Sequence, residues 1–188
     1  DSAHKSYGNL HTLVYRVRRL LTSDCVQFED NVYRFAPADG YTCDVTEFQA
    51  FIAKAQETRS EEQALGWYEK AVGLYKGDFL EDIAADWTLL QQTALRDMFL
   101  MAIARVANHY WQMGDCEMTI ALAHRWLEED RTDEAAHRLL MRCFAAQGNI
   151  GAVRRQYQLC ERILMQDLQV EPDEETRELY ARLIAQGE

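Results

Sequence analysis

Ala107-Asn108-His109-Tyr110-Trp111-Gln112-Met113-Gly114-Asp115-Cys116-Glu117-Met118-Thr119 and Met141-Arg142-Cys143-Phe144-Ala145-Ala146-Gln147-Gly148-Asn149-Ile150-Gly151-Ala152-Val153 are two copies of one pattern, 34 residues apart. The offset aligns Ala107 with Met141, Tyr110 with Phe144, Gly114 with Gly148 and Thr119 with Val153. In each copy an aromatic side chain lies four residues before the glycine, where a helix-turn-helix unit buries a large group against its partner helix. One such unit cannot cover its own apolar face, so a core forms only when units stack.

The period is the tetratricopeptide one, and the flanking sequence continues in helical register. Asp44 caps an expected helix whose apolar stripe is Val45, Phe48, Phe51, Ile52 and Ala55. Ser60 opens a second, running to Leu74 with Leu65, Tyr68 and Val72 inward. A long helix is expected from Trp87 to Gln112, ending at Gly114, and a last one over 173–186 caps the array. Between them, Tyr75-Lys76-Gly77-Asp78-Phe79-Leu80-Glu81-Asp82 breaks the periodicity. It lacks the spacing of a phosphate-binding glycine loop, and its acids would repel phosphate. The expectation is a structural corner, with Phe79, Leu80 and Trp87 packed into the core.

The front of the chain differs in charge and pattern. Net charge is −11 over 188 residues, yet residues 1–43 carry five basic and five acidic groups, so the whole excess belongs to 44–188. From Ser2 to Ser23 there is no acid, while Lys5, Arg16, Arg18 and Arg19 are basic. Leu10, Leu13, Val14, Val17, Leu20 and Leu21 form one helical face over His4–Leu21, and His11, Thr12, Tyr15, Arg16, Arg18 and Arg19 form the other. Two β-prone runs, Cys25–Phe28 and Val32–Phe35, flank Glu29-Asp30-Asn31 and predict a hairpin. Ala36-Pro37-Ala38-Asp39-Gly40 is the expected boundary. The domains read as 1–40 and 44–188, two modules with different partners.

Two resemblances follow from these residues. The first 43 residues resemble the C-terminal half of an OmpR/PhoB-type winged helix. Leu13-Val14-Tyr15-Arg16-Val17-Arg18-Arg19-Leu20-Leu21 stands as the end of its recognition helix and Val32-Tyr33-Arg34-Phe35 as the last strand of its wing. Asn31-Val32 occupy the place where that wing usually has glycine. The sheet and two helices that precede these pieces in the family are not in this sequence, and with no initiator methionine the chain is expected to begin inside a longer protein.

Residues 44–188 resemble the bacterial transcriptional activator domain of regulators related to the Streptomyces antibiotic regulatory proteins. The matching stretches include Asp44-Val45-x-x-Phe48, the Tyr75–Asp82 segment with Asp86-Trp87, and Ala135-Ala136-His137-Arg138-x-Leu140-Met141. Gln156-Tyr157-x-x-Cys160 and Leu168-Gln169-Val170-Glu171-Pro172 follow, then Glu175-Thr176-Arg177-x-Leu179-Tyr180. The resemblance implies a helical repeat fold, a cytoplasmic setting and a role in transcription control.

The fold class expected is therefore mostly α: a tetratricopeptide-like repeat domain preceded by a partial winged helix. A basic helix fits the DNA major groove, where arginine pairs with phosphates or with guanine edges. The candidate DNA-binding residues are Lys5, His11, Thr12, Tyr15, Arg16 and Arg19, with Arg34 in the wing. The partners expected are double-stranded DNA through the intact winged helix, and a protein partner or a second copy through the repeats. Trp67, Trp87, Trp111 and Trp126 are expected mostly in the core, with a groove among the repeats offering aromatic anchors. The alternative function is a tetratricopeptide adaptor that binds protein without DNA contact, in which residues 25–36 would continue as helix.

Chemistry of other kinds has little support. His124 and Glu128 are one turn apart but lack further ligands for a metal. His109, His137, Cys143 and Cys160 read as packing or groove residues. The five cysteines, Cys25, Cys43, Cys116, Cys143 and Cys160, form no Cys-x-x-Cys pair and read as free thiols. No nucleophile–histidine–acid pattern stands out, so no enzyme, cofactor or metal site is expected. No apolar run approaches the ~20 residues of a membrane span.

Overall fold

The computed structural model describes residues 2–21, 25–36, 42–83 and 85–186, with side chains from Leu10 onward. The chain forms two compact units, Asp1–Cys43 and Asp44–Glu188.

In the first unit, helix α1 (Ser2–Leu20) is followed by strands β1 (Val26–Glu29) and β2 (Val32–Phe35). The strands pair antiparallel, with Val26 opposite Phe35 and Glu29 opposite Val32. Asp30 and Asn31 make the two-residue turn at φ of 51° and 62°. Type I′ hairpin turns need both central residues in the left-handed region, and Asp and Asn tolerate it better than other side chains. That explains how a tight wing tip forms here without glycine. Leu10, Leu13, Leu20, Leu21, Phe28, Val32 and Phe35 remain exposed.

The second unit is a run of seven helices among the described residues: α2 (Asp44–Glu57), α3 (Glu61–Leu74), α4 (Asp86–Gln112), α5 (Cys116–Glu129), α6 (Glu134–Ala146), α7 (Ile150–Asp167) and α8 (Glu174–Gln186). Each packs on the next. In addition α4 touches α6 and α6 touches α8, the skip-one contact of stacked helical pairs.

The two sequence copies adopt the same local geometry. Gly114 and Gly148 sit at φ of 78° and 71°, ending α4 and α6 in left-handed caps. Asp115 N–H donates back to Tyr110 O at 3.0 Å, and Asn149 N–H to Phe144 O at 2.8 Å. The same two residues then cap the next helix, accepting from Met118 N and Ala152 N, both at 3.0 Å. Thr119 and Val153, the aligned pair after each turn, are both fully buried, as are Ala107 and Met141. One core runs through Phe48, Ile52, Tyr75, Phe99, Ile103, Trp126 and Leu140. A second, around Met141, Val153 and Leu179, seats α8 as the cap.

Candidate nucleic-acid interface

Side chains of helix α1 reach the hairpin at Arg18 and His11. Arg18 donates from Nε (3.1 Å) and Nη2 (2.5 Å) to Val26 O at the start of β1. His11 Nδ1 and the Tyr33 hydroxyl are 2.7 Å apart, with the rings edge to face. Phe28, across the hairpin from Tyr33, packs against its ring with centroids 4.6 Å apart. The helix therefore holds the wing at both ends of α1's second half.

That arrangement sorts the basic residues. Arg18 spends its guanidinium on the hairpin backbone. Tyr15, Arg16 and Arg19 are exposed, with Thr12, on the stripe three and four residues apart that α1 shows to solvent. Arg34 is exposed on β2, opposite Gln27. His11 belongs to the same face but has Tyr33 as its partner. The Lys5 side chain lies outside the described residues. Tyr33 was not singled out from the sequence: its contact with His11 spans 22 residues and exists only after the hairpin folds back.

In the helical unit the Tyr75–Asp82 segment is a corner held by polar groups. Asp78 accepts from Arg96 and lies 3.3 Å from the Tyr75 hydroxyl, which is also 3.4 Å from Glu129. Arg125 donates to Tyr75 O and stacks its guanidinium 5.0 Å from the Phe99 ring centre. Burial, with Glu129 and Asp78 adding negative charge, pushes the Tyr75 phenol well above its ordinary range. Burial and Asp78 likewise raise the Glu129 carboxyl. Asp78 is occupied by protein donors, as a structural corner requires.

The apolar half of the expectation needs correction. Leu80 is 40% and Trp87 62% exposed, so neither packs into the core, and Phe79 is only half-buried. Gly77 at φ 144° and Leu80 at φ 50° redirect the chain, and the polar groups face inward instead. Of the four tryptophans only Trp126 is buried. Trp67 stacks on Phe51 beneath Lys54 and Lys70, whose ammonium groups lie 4.7 and 4.1 Å from its ring centre. Trp111 walls a groove of about 430 Å³ with Arg142, Ala145, Ile150, Leu183 and Gln186.

His137 is buried between Arg131 O (3.1 Å) and Gln156 (2.6 Å), fastening α6 to α7. Burial raises the thiols of Cys143 and Cys160 to about 12, holding both protonated. His124 and Glu128 are exposed, and no group of three or more metal-binding side chains occurs among the described residues. No helix among them is long and apolar enough to cross a membrane.

The family model described as the bacterial transcriptional activator domain matches residues 43–184. No curated protein matches the chain. Among solved structures, Mycobacterium tuberculosis EmbR in complex with a low-affinity phosphopeptide is similar over 96% of this chain and 50% of its own, with 22% identity and a TM-score of 0.66. This chain thus spans half the length of that one. The C-terminal TPR-containing domain of a putative FK506-binding protein of Plasmodium falciparum is similar over 78% of this chain and 93% of its own, with 14% identity and a TM-score of 0.54. At these identities both likenesses are of fold: a mostly helical, tetratricopeptide-like body and, for EmbR, a span that takes in the helix and hairpin as well.

Proposed function

The chain belongs to the bacterial transcriptional activator domain family, and on that premise we propose that it is part of a DNA-binding transcriptional regulator. In this reading residues 1–40 are the recognition helix and wing of a winged-helix domain, and residues 44–188 form the regulatory body. Thr12, Tyr15, Arg16 and Arg19 face the major groove, Lys5 is assigned to a backbone phosphate, Arg34 reaches the backbone or minor groove from the wing, and His11 orients the wing through Tyr33. The partners are double-stranded DNA and, through the repeats, a protein or a second copy. The setting is the cytoplasm, where promoter DNA is.

The observation that carries the reading is the hairpin pinned to a helix free of acids, with Arg18 used for the pinning and Arg16 and Arg19 left exposed. A protein-binding adaptor would have no need of that hairpin, and the −11 charge stays off the DNA-facing unit. Phosphate contacts make affinity fall with salt in proportion to their number.

The test is operator binding by the full-length regulator over a salt series. Arg16→Ala with Arg19→Ala is expected to weaken binding at least about tenfold and flatten the log–log salt slope by up to about 2. Arg18→Ala should disturb the hairpin while leaving that slope nearly intact. Unchanged affinity in the Arg16/Arg19 double variant would remove the recognition-helix assignment.

A further inference from the structure

Helix α4 is 27 residues long, nearly twice the 14 of α3 and of α5, between which it packs. Its first three turns bury Thr88 and Leu95 and half-bury Gln91 and Gln92. The outward side carries an open apolar stripe, Trp87 at 62% and Leu90 at 81% exposure with Ala94 exposed one turn on, and Leu89 at 59% flanks it beside exposed Asp86 and Thr93. Leu80 and Ile83, in the segment leading into the helix, are 40% and 45% exposed. Large apolar side chains gathered this way mark contact surfaces far more often than single exposed leucines do.

Charge says what kind of partner fits. From Gly77 to Leu95 there is no basic residue, while Glu81, Asp82 and Asp86 are exposed carboxylates. Asp86 lies three and four residues before Leu89 and Leu90, on the same helix face. A second copy meeting this surface about a two-fold axis would set these acids against themselves. A basic surface would be drawn to them, and a helix with an apolar stripe would cover Trp87, Leu89 and Leu90.

We propose that the exposed start of α4, with Glu81, Asp82 and Asp86 beside it, is a docking surface for a basic amphipathic helix of a partner protein. The proposal deepens the partner-binding half of the function above and rests on it, but asks nothing of the DNA-reading half. Leu90 and Trp87 supply the apolar contact. The carboxylates select lysine- or arginine-rich partners and speed their approach.

The probe is a synthetic helical peptide of about 18 residues with a leucine stripe and lysine elsewhere, set against its leucine/glutamate counterpart. Binding to the full chain is read by fluorescence anisotropy at several salt concentrations. The lysine peptide should bind at least about tenfold more tightly than the glutamate one. Trp87→Gln with Leu90→Gln should lower that affinity about tenfold or more, as should the milder Leu89→Gln in part. Glu81→Gln with Asp82→Asn should weaken binding and flatten its salt dependence, whereas Met165→Gln, at an exposed position of α7, should change nothing.

These substitutions are at exposed positions, so circular dichroism should be unaltered and operator binding by the full-length regulator should stay at wild-type strength. Equal binding of both peptides, or undiminished binding to the Trp87/Leu90 variant, would overturn the proposal. So would a concentration-dependent dimer in sedimentation that Leu90→Gln dissolves, since a second copy would then be the occupant. Joint loss of peptide and operator binding would mark a general structural effect and overturn it too. An operator-binding failure confined to the Arg16/Arg19 variants leaves the docking surface untouched.

Discussion

His137 shows how one side chain can make a fold sensitive to acid. The Arg131 carbonyl can only accept, so Nε2 carries a proton, and in the neutral ring Nδ1 accepts from Gln156 Nε2. Protonating the ring would require the Gln156 amide to turn its oxygen to Nδ1 and would put a charge in a buried site. Burial accordingly lowers its pKa from the ordinary 6.5, with the Arg131 carbonyl, Asp133 and Glu134 opposing that shift only in part. Because the folded value lies below the unfolded one, the neutral ring contributes full stability above pH 6.5, and that contribution is lost as pH falls towards the lowered value. Such a group steepens the fall by at most ~1.4 kcal/mol per pH unit. Urea unfolding from pH 7.5 to 5 should show the wild type losing stability faster than His137→Gln, which keeps hydrogen-bonding atoms but cannot titrate. Parallel curves for the two proteins would mean that His137 carries no charge change on unfolding. The sequence marks His137 as a packing residue from its place in the repeat. Its partner Gln156, 19 residues on, was invisible until α6 and α7 were laid side by side.

At the scale of elements, legibility followed the backbone. The helices start and stop close to where capping residues and glycines say they should, because caps and left-handed turns are local decisions that three or four residues settle. Gly114 and Gly148 are the clearest case, and they carry a prediction of opposite sign to Gly66. Alanine at either positive-φ position must adopt the left-handed region, at a cost of about 1–2 kcal/mol. Gly66 lies inside α3 at ordinary helical geometry with nothing within 4 Å of an added methyl, so Gly66→Ala should stabilise by about 0.5–1 kcal/mol. Urea midpoints of the three variants check this, and a stabilising Gly114→Ala would mean that the turn relaxes to another conformation. What local pattern did not show is which apolar faces have a neighbour. Periodicity identifies Leu89, Leu90 and Trp87 only as apolar residues near the start of a helix. It cannot show which side of the start of this long helix the neighbouring helices leave open, and so the tryptophan expected inside lies open to solvent. The candidate DNA residues have the same history: the stripe Thr12, Tyr15, Arg16 and Arg19 follows from helix geometry, while the separate duty of Arg18 and the Tyr33 contact depend on the hairpin.

At the scale of the molecule, the two units differ in what they can bury. Among the described residues, 44–188 carry both cores, side-chain caps on α3, α5, α6, α7 and α8, and the ion pairs Arg131–Asp167, which ties the turn before α6 to the end of α7, and Arg138–Asp173, which ties α6 to the start of α8. In a stacked array each pair of helices is stabilised by its neighbours, so the whole run should unfold together provided both ends are covered. Here α8 seats on Met141 and Val153 and supplies one cover. Among the described residues, 1–43 supply one helix, two short strands and a row of exposed leucines, too little interior to be stable alone. A protein comprising residues 44–188 should therefore fold by itself, with strong helical circular dichroism and one cooperative urea transition of slope about 1–3 kcal/mol/M. Deleting α8 from it should expose Met141, Val153 and Tyr157 and broaden or split that transition, because α6 and α7 lose their outer neighbour. If residues 44–188 unfold gradually and bind hydrophobic dyes, the helical body does not contain its own core. The family match at 43–184 would then describe a sequence that needs the preceding residues to fold.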